Sequence, residues 1–132
     1  MKTVRQRYSI NAPVEKVWRA LVSPKLIDQW GGGPAKMSAR VDAKFSLWGG
    51  DIYGTNTEVQ PEVKLVQQWY AGNWEEPSMV CFSLSEKVTK KGKTTLVVLV
   101  HKNIPDEEVQ GIRDGWKEYY MEPLKAFVED QV

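Results

Sequence analysis

The last stretch of the chain constrains the fold most. From Pro105 to Glu129 apolar residues recur at Val109, Ile112, Trp116, Tyr119, Tyr120, Leu124 and Phe127. Steps of three and four draw one wide apolar stripe along a helix. Pro105 stands where a missing N–H costs nothing, and Asp106, Glu107 and Glu108 suit the positive end of the helix dipole. At about 1.5 Å per residue the helix would run roughly 35 Å. Everything before it must supply the surface that this aromatic stripe buries against.

The preceding chain reads as a sheet. Thr3 to Ile10 alternates, with Val4, Gln6, Tyr8 and Ile10 on one side. Pro13 opens a helix carrying Val14, Val17, Trp18, Leu21 and Val22, and Ser23-Pro24 starts a short second helix that Trp30 closes. Gly31-Gly32-Gly33-Pro34 reads as a mobile loop. It lacks the Lys-Ser/Thr pair and the preceding buried strand of a phosphate cradle. From Lys36 onward an antiparallel meander is expected. Its strands are Lys44–Trp48, Ile52–Val59 with a bulge at Gly54, Val63–Tyr70, Ser78–Val88 and Thr94–Lys102. Ala71 to Pro77 is irregular, and Lys90 to Lys93 forms a hairpin tip. Leu96 to Val100 is apolar on both faces, as in a doubly covered central strand or one whose outer face meets a partner. The fold class is therefore α+β, a curved antiparallel sheet packed on one long helix, in a single domain over 1–132.

Charge narrows the function. Eighteen basic and seventeen acidic residues leave +1, so the composition gives no electrostatic case for nucleic acid or an anionic membrane. No run reaches the ~18 apolar residues of a membrane span, and the N-terminus lacks a secretory core. A lone cysteine, Cys81, has no internal disulfide partner, and together these features favour the cytoplasm.

No enzyme set emerges. His101 is the only histidine, and no nucleophile motif accompanies it. One cysteine and one histidine are too few for a metal site, so neither metal nor cofactor is expected. The paired acids Glu75-Glu76 and Glu107-Glu108 read as loop and helix-start charge. Six tryptophans exceed what a domain of this size needs to fold. Strand parity gathers Phe45, Leu65, Trp69, Phe82, Leu84 and Leu99 toward Trp116, Tyr120 and Leu124, with Trp30 and His101 at the ends of this set. These side chains either fill the interior as a dry core or enclose a cavity for a small hydrophobic or aromatic ligand, with Tyr120 or His101 as a polar handle. Trp48 and Trp74 are candidates for exposed contact with a protein partner.

Three stretches together form a recognisable pattern: FSLWGGDIYGTNTEVQPEVKLVQQW (Phe45 to Trp69), the strand pair ending HKNIP, and GWKEYYMEPLKAF (Gly115 to Phe127). They resemble the C-terminal domain of the activator of heat shock protein 90 ATPase. INAPVEKVWRALVSPKLIDQW is similar to the opening of that family and of the wider START-like group. The resemblance implies the helix-grip fold: an antiparallel sheet of six or seven strands around the terminal helix, with two small helices after the first strand. Phe45, Gly50, Gly54, Pro61, Trp69, Pro105, Gly115, Trp116, Tyr119, Tyr120 and Leu124 take the family's marked positions, most of them structural. Gly115 within a helix suggests close approach to the sheet, and Pro123 should kink the helix. Asp42-Ala43 stands where the family commonly has a glycine pair.

The resemblance also implies a heat shock protein 90-type chaperone as partner. The eukaryotic activator carries a further N-terminal domain that does much of the chaperone binding, and only the C-terminal type of domain is matched here. Three readings therefore stand: a START-like binder of a small hydrophobic ligand, a chaperone cofactor acting through its surface, and a hydrolase or cyclase on the same fold.

Overall fold

In a computed structural model, which describes residues 1–72 and 74–131, the chain builds a six-stranded antiparallel sheet. Asn73, inside the stretch read as irregular, and Val132 lie outside the described residues. The strands are β1 (Lys2–Ile10), β2 (Lys44–Leu47), β3 (Ile52–Gln60), β4 (Lys64–Ala71), β5 (Ser78–Thr89) and β6 (Gly92–Ile104), and they lie side by side in the order β1-β6-β5-β4-β3-β2. Helices α1 (Val14–Val22) and α2 (Pro24–Trp30) follow β1, and the chain ends in the long helix, so the helix-grip arrangement is realised.

Period-two alternation forms the inner layer. Leu65, Trp69, Val80, Phe82, Val97 and Leu99 point inward and are buried, while their neighbours along each strand stay half-exposed or exposed. β6 is an interior strand, paired with the edge strand β1 on one side and β5 on the other. Its outer residues Leu96, Val98 and Val100 remain half-exposed, so the double covering allowed by its sequence is absent among the described residues.

Local chemistry sets the small helices. The Ser23 hydroxyl accepts from the Leu26 N–H at 3.3 Å, Pro24 occupies the first turn, and Gly31 closes α2 at φ 112°. The Thr95 hydroxyl, buried on β6, donates to the Ala12 carbonyl at 2.7 Å and fixes where α1 begins.

The first strand of the meander begins at Lys44, as the sequence suggests. Lys36 makes only an isolated bridge to Ser46, and the chain up to β2 is irregular. Buried Asn56 holds this segment, donating to the Ser38 carbonyl at 2.8 Å and the Arg40 carbonyl at 3.2 Å while accepting from Gln67 at 3.0 Å. Asp42 turns the chain at φ 66°, a conformation that Asp tolerates in tight turns. The bulge lies between Asn56 and Glu58, not at Gly54. Gly54 answers to close packing instead: a Cβ there would sit 1.8 Å from the Gln68 carbonyl oxygen. The glycine run is also less free than a loose loop. The Trp48 N–H donates to the Gly32 carbonyl at 2.8 Å and the Gly49 N–H to the Pro34 carbonyl at 3.0 Å.

The terminal helix is composite. A 3-10 turn (Asp106–Glu108) leads into α3 (Val109–Gly115), a π segment (Trp116–Met121) and α4 (Glu122–Asp130). Pro123 has no N–H and crowds the carbonyl four residues back, so an unbroken α-helix cannot pass it. The chain responds by widening one turn: the Glu122 N–H bonds to the Lys117 carbonyl, five residues back. The expected kink is thus taken up as a π turn. That turn brings Trp116, Tyr120 and Met121 all to the buried side and leaves Tyr119 65% exposed, although the sequence stripe included it. No helix of the described residues is long and apolar enough to cross a membrane.

Candidate functional site

The seam between sheet and terminal helix carries two features, a polar relay and an aromatic cleft.

The relay runs inward from the helix. The indole Nε1–H of Trp116 donates to His101 Nδ1 at 2.9 Å. Ser78 Oγ lies 2.7 Å from His101 Nε2 and also 2.7 Å from the Trp69 carbonyl, to which its single hydroxyl proton is donated. Ser78 Oγ must therefore accept from His101, which assigns the neutral ring with its proton on Nε2. His101 is fully buried, and burial lowers its pKa to about 3, in agreement with that neutral form. With both nitrogens engaged and no exposure, His101 is a structural tie between helix, β6, β5 and β4. It does not line the cleft described next. Ser78 is the residue that sequence reasoning missed. The signal was present in the hairpin register, which sets Val80 opposite His101 and makes Ser78 the next inward residue on β5.

The cleft opens between the turn Trp48–Gly50, the start of β3 and the first half of the terminal helix. Its volume is about 340 Å³, and Trp48, Asp51, Ile52, Trp69, Gly111, Ile112, Gly115, Trp116, Tyr119 and Tyr120 line it. Its walls are aromatic. Trp69 and Trp116 stack at 4.9 Å, and Tyr120 packs 4.6 Å from Trp116 and 4.8 Å from Trp30, between ring centroids. Asp51 is the only charged residue among those lining it. Burial pushes the Tyr120 hydroxyl well above the ordinary phenol pKa, so it stays protonated.

Gly111 and Gly115 shape the helix side. They are four residues apart, hence on one helix face, and a Cβ at either would meet nothing within 4 Å. Gly115 therefore does not serve a close approach to the sheet; it leaves space.

Of the side chains that parity gathered, Trp69, Trp116 and Tyr120 reach the cleft. Phe45, Leu65, Phe82, Leu84, Leu99 and Leu124 pack as buried core beneath it, and Trp30 is buried with its N–H on the Ala20 carbonyl at 2.9 Å. Trp48 is half-buried as a cleft wall, its indole N–H donating to the Gly31 carbonyl at 2.8 Å. Trp74 is half-buried between β4 and β5, away from the cleft. Asp51, Ile52, Gly111 and Tyr119 are further lining residues. Only the meeting of the Trp48 turn with the helix face brings them together, and neither element shows this alone.

Among the described residues, one buried side-chain polar atom has no partner, the indole Nε1 of Trp69. The two stacked tryptophans thus differ: one N–H is spent on the relay and the other is not.

Residues 11–129 match the family described as activator of Hsp90 ATPase homolog 1-like protein. The chain belongs to this family. Among curated members of the activator group, the human activator of 90 kDa heat shock protein ATPase homolog 1 is 29% identical over 111 residues, covering 84% of this chain and 32% of that protein. The Dictyostelium discoideum homologue is 35% identical over 86 residues, covering 62% of this chain and 21% of that protein. The chain therefore spans about a third or less of these relatives. The activator fold is seen again in an HSP90 activator from Plasmodium falciparum, with a TM-score of 0.86 at 22% identity, covering 97% of this chain and 96% of that one. A solution structure of the Aha1 dimer from Colwellia psychrerythraea gives 0.80 at 20% identity, covering 98% and 97%.

Proposed function

We infer that this chain regulates a heat shock protein 90-type chaperone by binding it through a protein–protein surface, with the aromatic cleft receiving an apolar side chain of the chaperone. The observation that carries this reading is that the cleft opens at the surface beside exposed Tyr119, so a partner side chain can enter without the sheet and helix separating. Rigid aromatic walls bind at low entropic cost, as interface hot spots do. The activators named above supply the partner class. The test is ATP hydrolysis by a purified heat shock protein 90 with and without the chain. A saturable change in rate supports the reading; an unchanged rate together with no detectable binding ends it.

A second reading, a small hydrophobic or aromatic ligand in the same cleft, draws on the empty space over Gly111 and Gly115. The volume falls at the lower end of the usual range for ligand pockets, about 300–1,000 Å³. Screening lipids and aromatic metabolites for a rise in Tm tests it, and a screen without any shift counts against it.

A further inference from the structure

The outer face of the sheet, opposite the helix, carries a pattern that neither reading uses. Strand pairing sets five residues in one row across it: Arg5 on β1, Val100 on β6, Cys81 on β5, Val66 on β4 and Glu58 on β3. Val100, Cys81 and Val66 are half-exposed, and no element among the described residues covers them. Met79 and Val98 extend the same apolar stripe. A shallow depression of about 390 Å³ lies in it, with Lys64, Lys102 and Glu58 among its lining residues.

The row is electrically antisymmetric about Cys81: a cation two strands to one side, a carboxylate two strands to the other. We propose that this face binds a second copy of the chain, stacked sheet on sheet about a two-fold axis that runs parallel to β5, over Cys81 and midway between the two sheets. Such an axis lays β1 of each copy over β3 of the other. Arg5 of each then faces Glu58 of its partner, and Val100 faces Val66. The same operation applied to the neighbouring row, Arg7, Val98, Ser83, Lys64 and Gln60, sets Arg7 against Gln60 and Lys64 against Val98. In the row of Lys102, Met79 and Gln68 it sets Lys102 against Gln68. No two basic groups of these rows come face to face, although the face holds several. Packed sheets lie about 10 Å apart, a gap that Arg and Glu side chains span together. Glu58 already holds Lys64 at 3.6 Å within its own copy, so the partner's Arg5 would complete a three-membered charge cluster at each end. A two-fold interface of this kind is self-complementary and closed.

The experiment combines sedimentation equilibrium with cross-linking. The wild-type chain is expected to show a concentration-dependent dimer. Cys81 is the only cysteine, so a short bismaleimide can join two copies only at that axis, and it should do so efficiently. Arg5→Glu and Glu58→Arg, both at solvent-reachable positions, should each raise the dimer Kd by roughly tenfold or more, and the double variant should return it near the wild-type value. A monomer at every concentration, a dimer that does not cross-link through Cys81, single variants without effect, or a double variant no better than the singles would each overturn the proposal.

Discussion

The Trp116 indole donates to His101 Nδ1 at 2.9 Å, tying the π turn of the terminal helix to the strand that precedes it. Trp69, stacked on Trp116 at 4.9 Å, is as deeply buried but donates to nothing. Replacing each by Phe removes a similar volume yet different polar chemistry. Trp116→Phe strips buried His101 of its donor and adds roughly 1–3 kcal/mol to the packing loss. Trp69→Phe removes an N–H that was buried without compensation. Urea unfolding should therefore rank Trp116→Phe as the more damaging change, and Trp116→Ala should cost roughly 3–5 kcal/mol. Equal losses for the two Phe variants would contradict the relay.

The relay also makes stability depend on pH. The folded-state pKa of His101 lies at about 3, below the ordinary value of 6.5. Between these values the unfolded chain binds a proton that the folded chain refuses, so stability falls as pH drops through 6.5 and continues to fall toward 3. The slope from this one group is about 1.4 kcal/mol per pH unit in the middle of that window. Comparing wild type with His101→Gln from neutral pH down to about 5 stays largely above the carboxylate range. The wild type should lose stability there faster than the variant, and parallel curves would refute the assignment.

Glycine in the middle of a helix normally costs stability without return. Gly111→Ala and Gly115→Ala should each stabilise the fold by roughly 0.5–1 kcal/mol, because the added methyl meets no neighbour. The same methyls narrow the cleft and should weaken whatever enters it. Thermal melts and binding measured together separate the two effects. A loss of stability would mean the helix approaches the sheet at these positions after all.

Gly54 behaves in the opposite way. Gly54→Ala would place a methyl 1.8 Å from a backbone oxygen of the adjacent strand, which only separation of β3 from β4 relieves. A drop in Tm well beyond that of an ordinary surface substitution is expected.

The fold was legible because its two periodicities are clean. Alternation in β1, β4, β5 and β6 and the stripe from Val109 onward each state which side faces in, and the two hairpin-rich ends leave few ways to connect them. The cleft was legible only in part. Trp69, Trp116 and Tyr120 declare themselves as inward aromatics, but a sequence cannot show whether facing side chains meet or leave a gap. Gly115 illustrates this: one residue type serves close approach and open space alike, and only the empty volume around its Cα distinguishes them. The π turn was hidden for a related reason. Pro123 announces a disturbance, but whether the helix bends or widens depends on packing. Burial of the adjacent pair Tyr120 and Met121 in the core accompanies the wider turn. The Ser78–His101 contact needed the exact register of β5 on β6, which parity alone leaves undetermined.

The measurement that bears most directly on the central claim is the ATPase rate of a purified heat shock protein 90 titrated with the wild-type chain and, in parallel, with Tyr119→Arg. Tyr119 is 65% exposed at the cleft mouth, so the substitution should leave the melting curve nearly unchanged while setting a charge over the aromatic entrance. The account predicts a saturable change in rate with the wild-type chain and a much weaker one with the variant. An identical response to both proteins would show that the chaperone is met elsewhere, and no response to either would contradict the functional reading altogether.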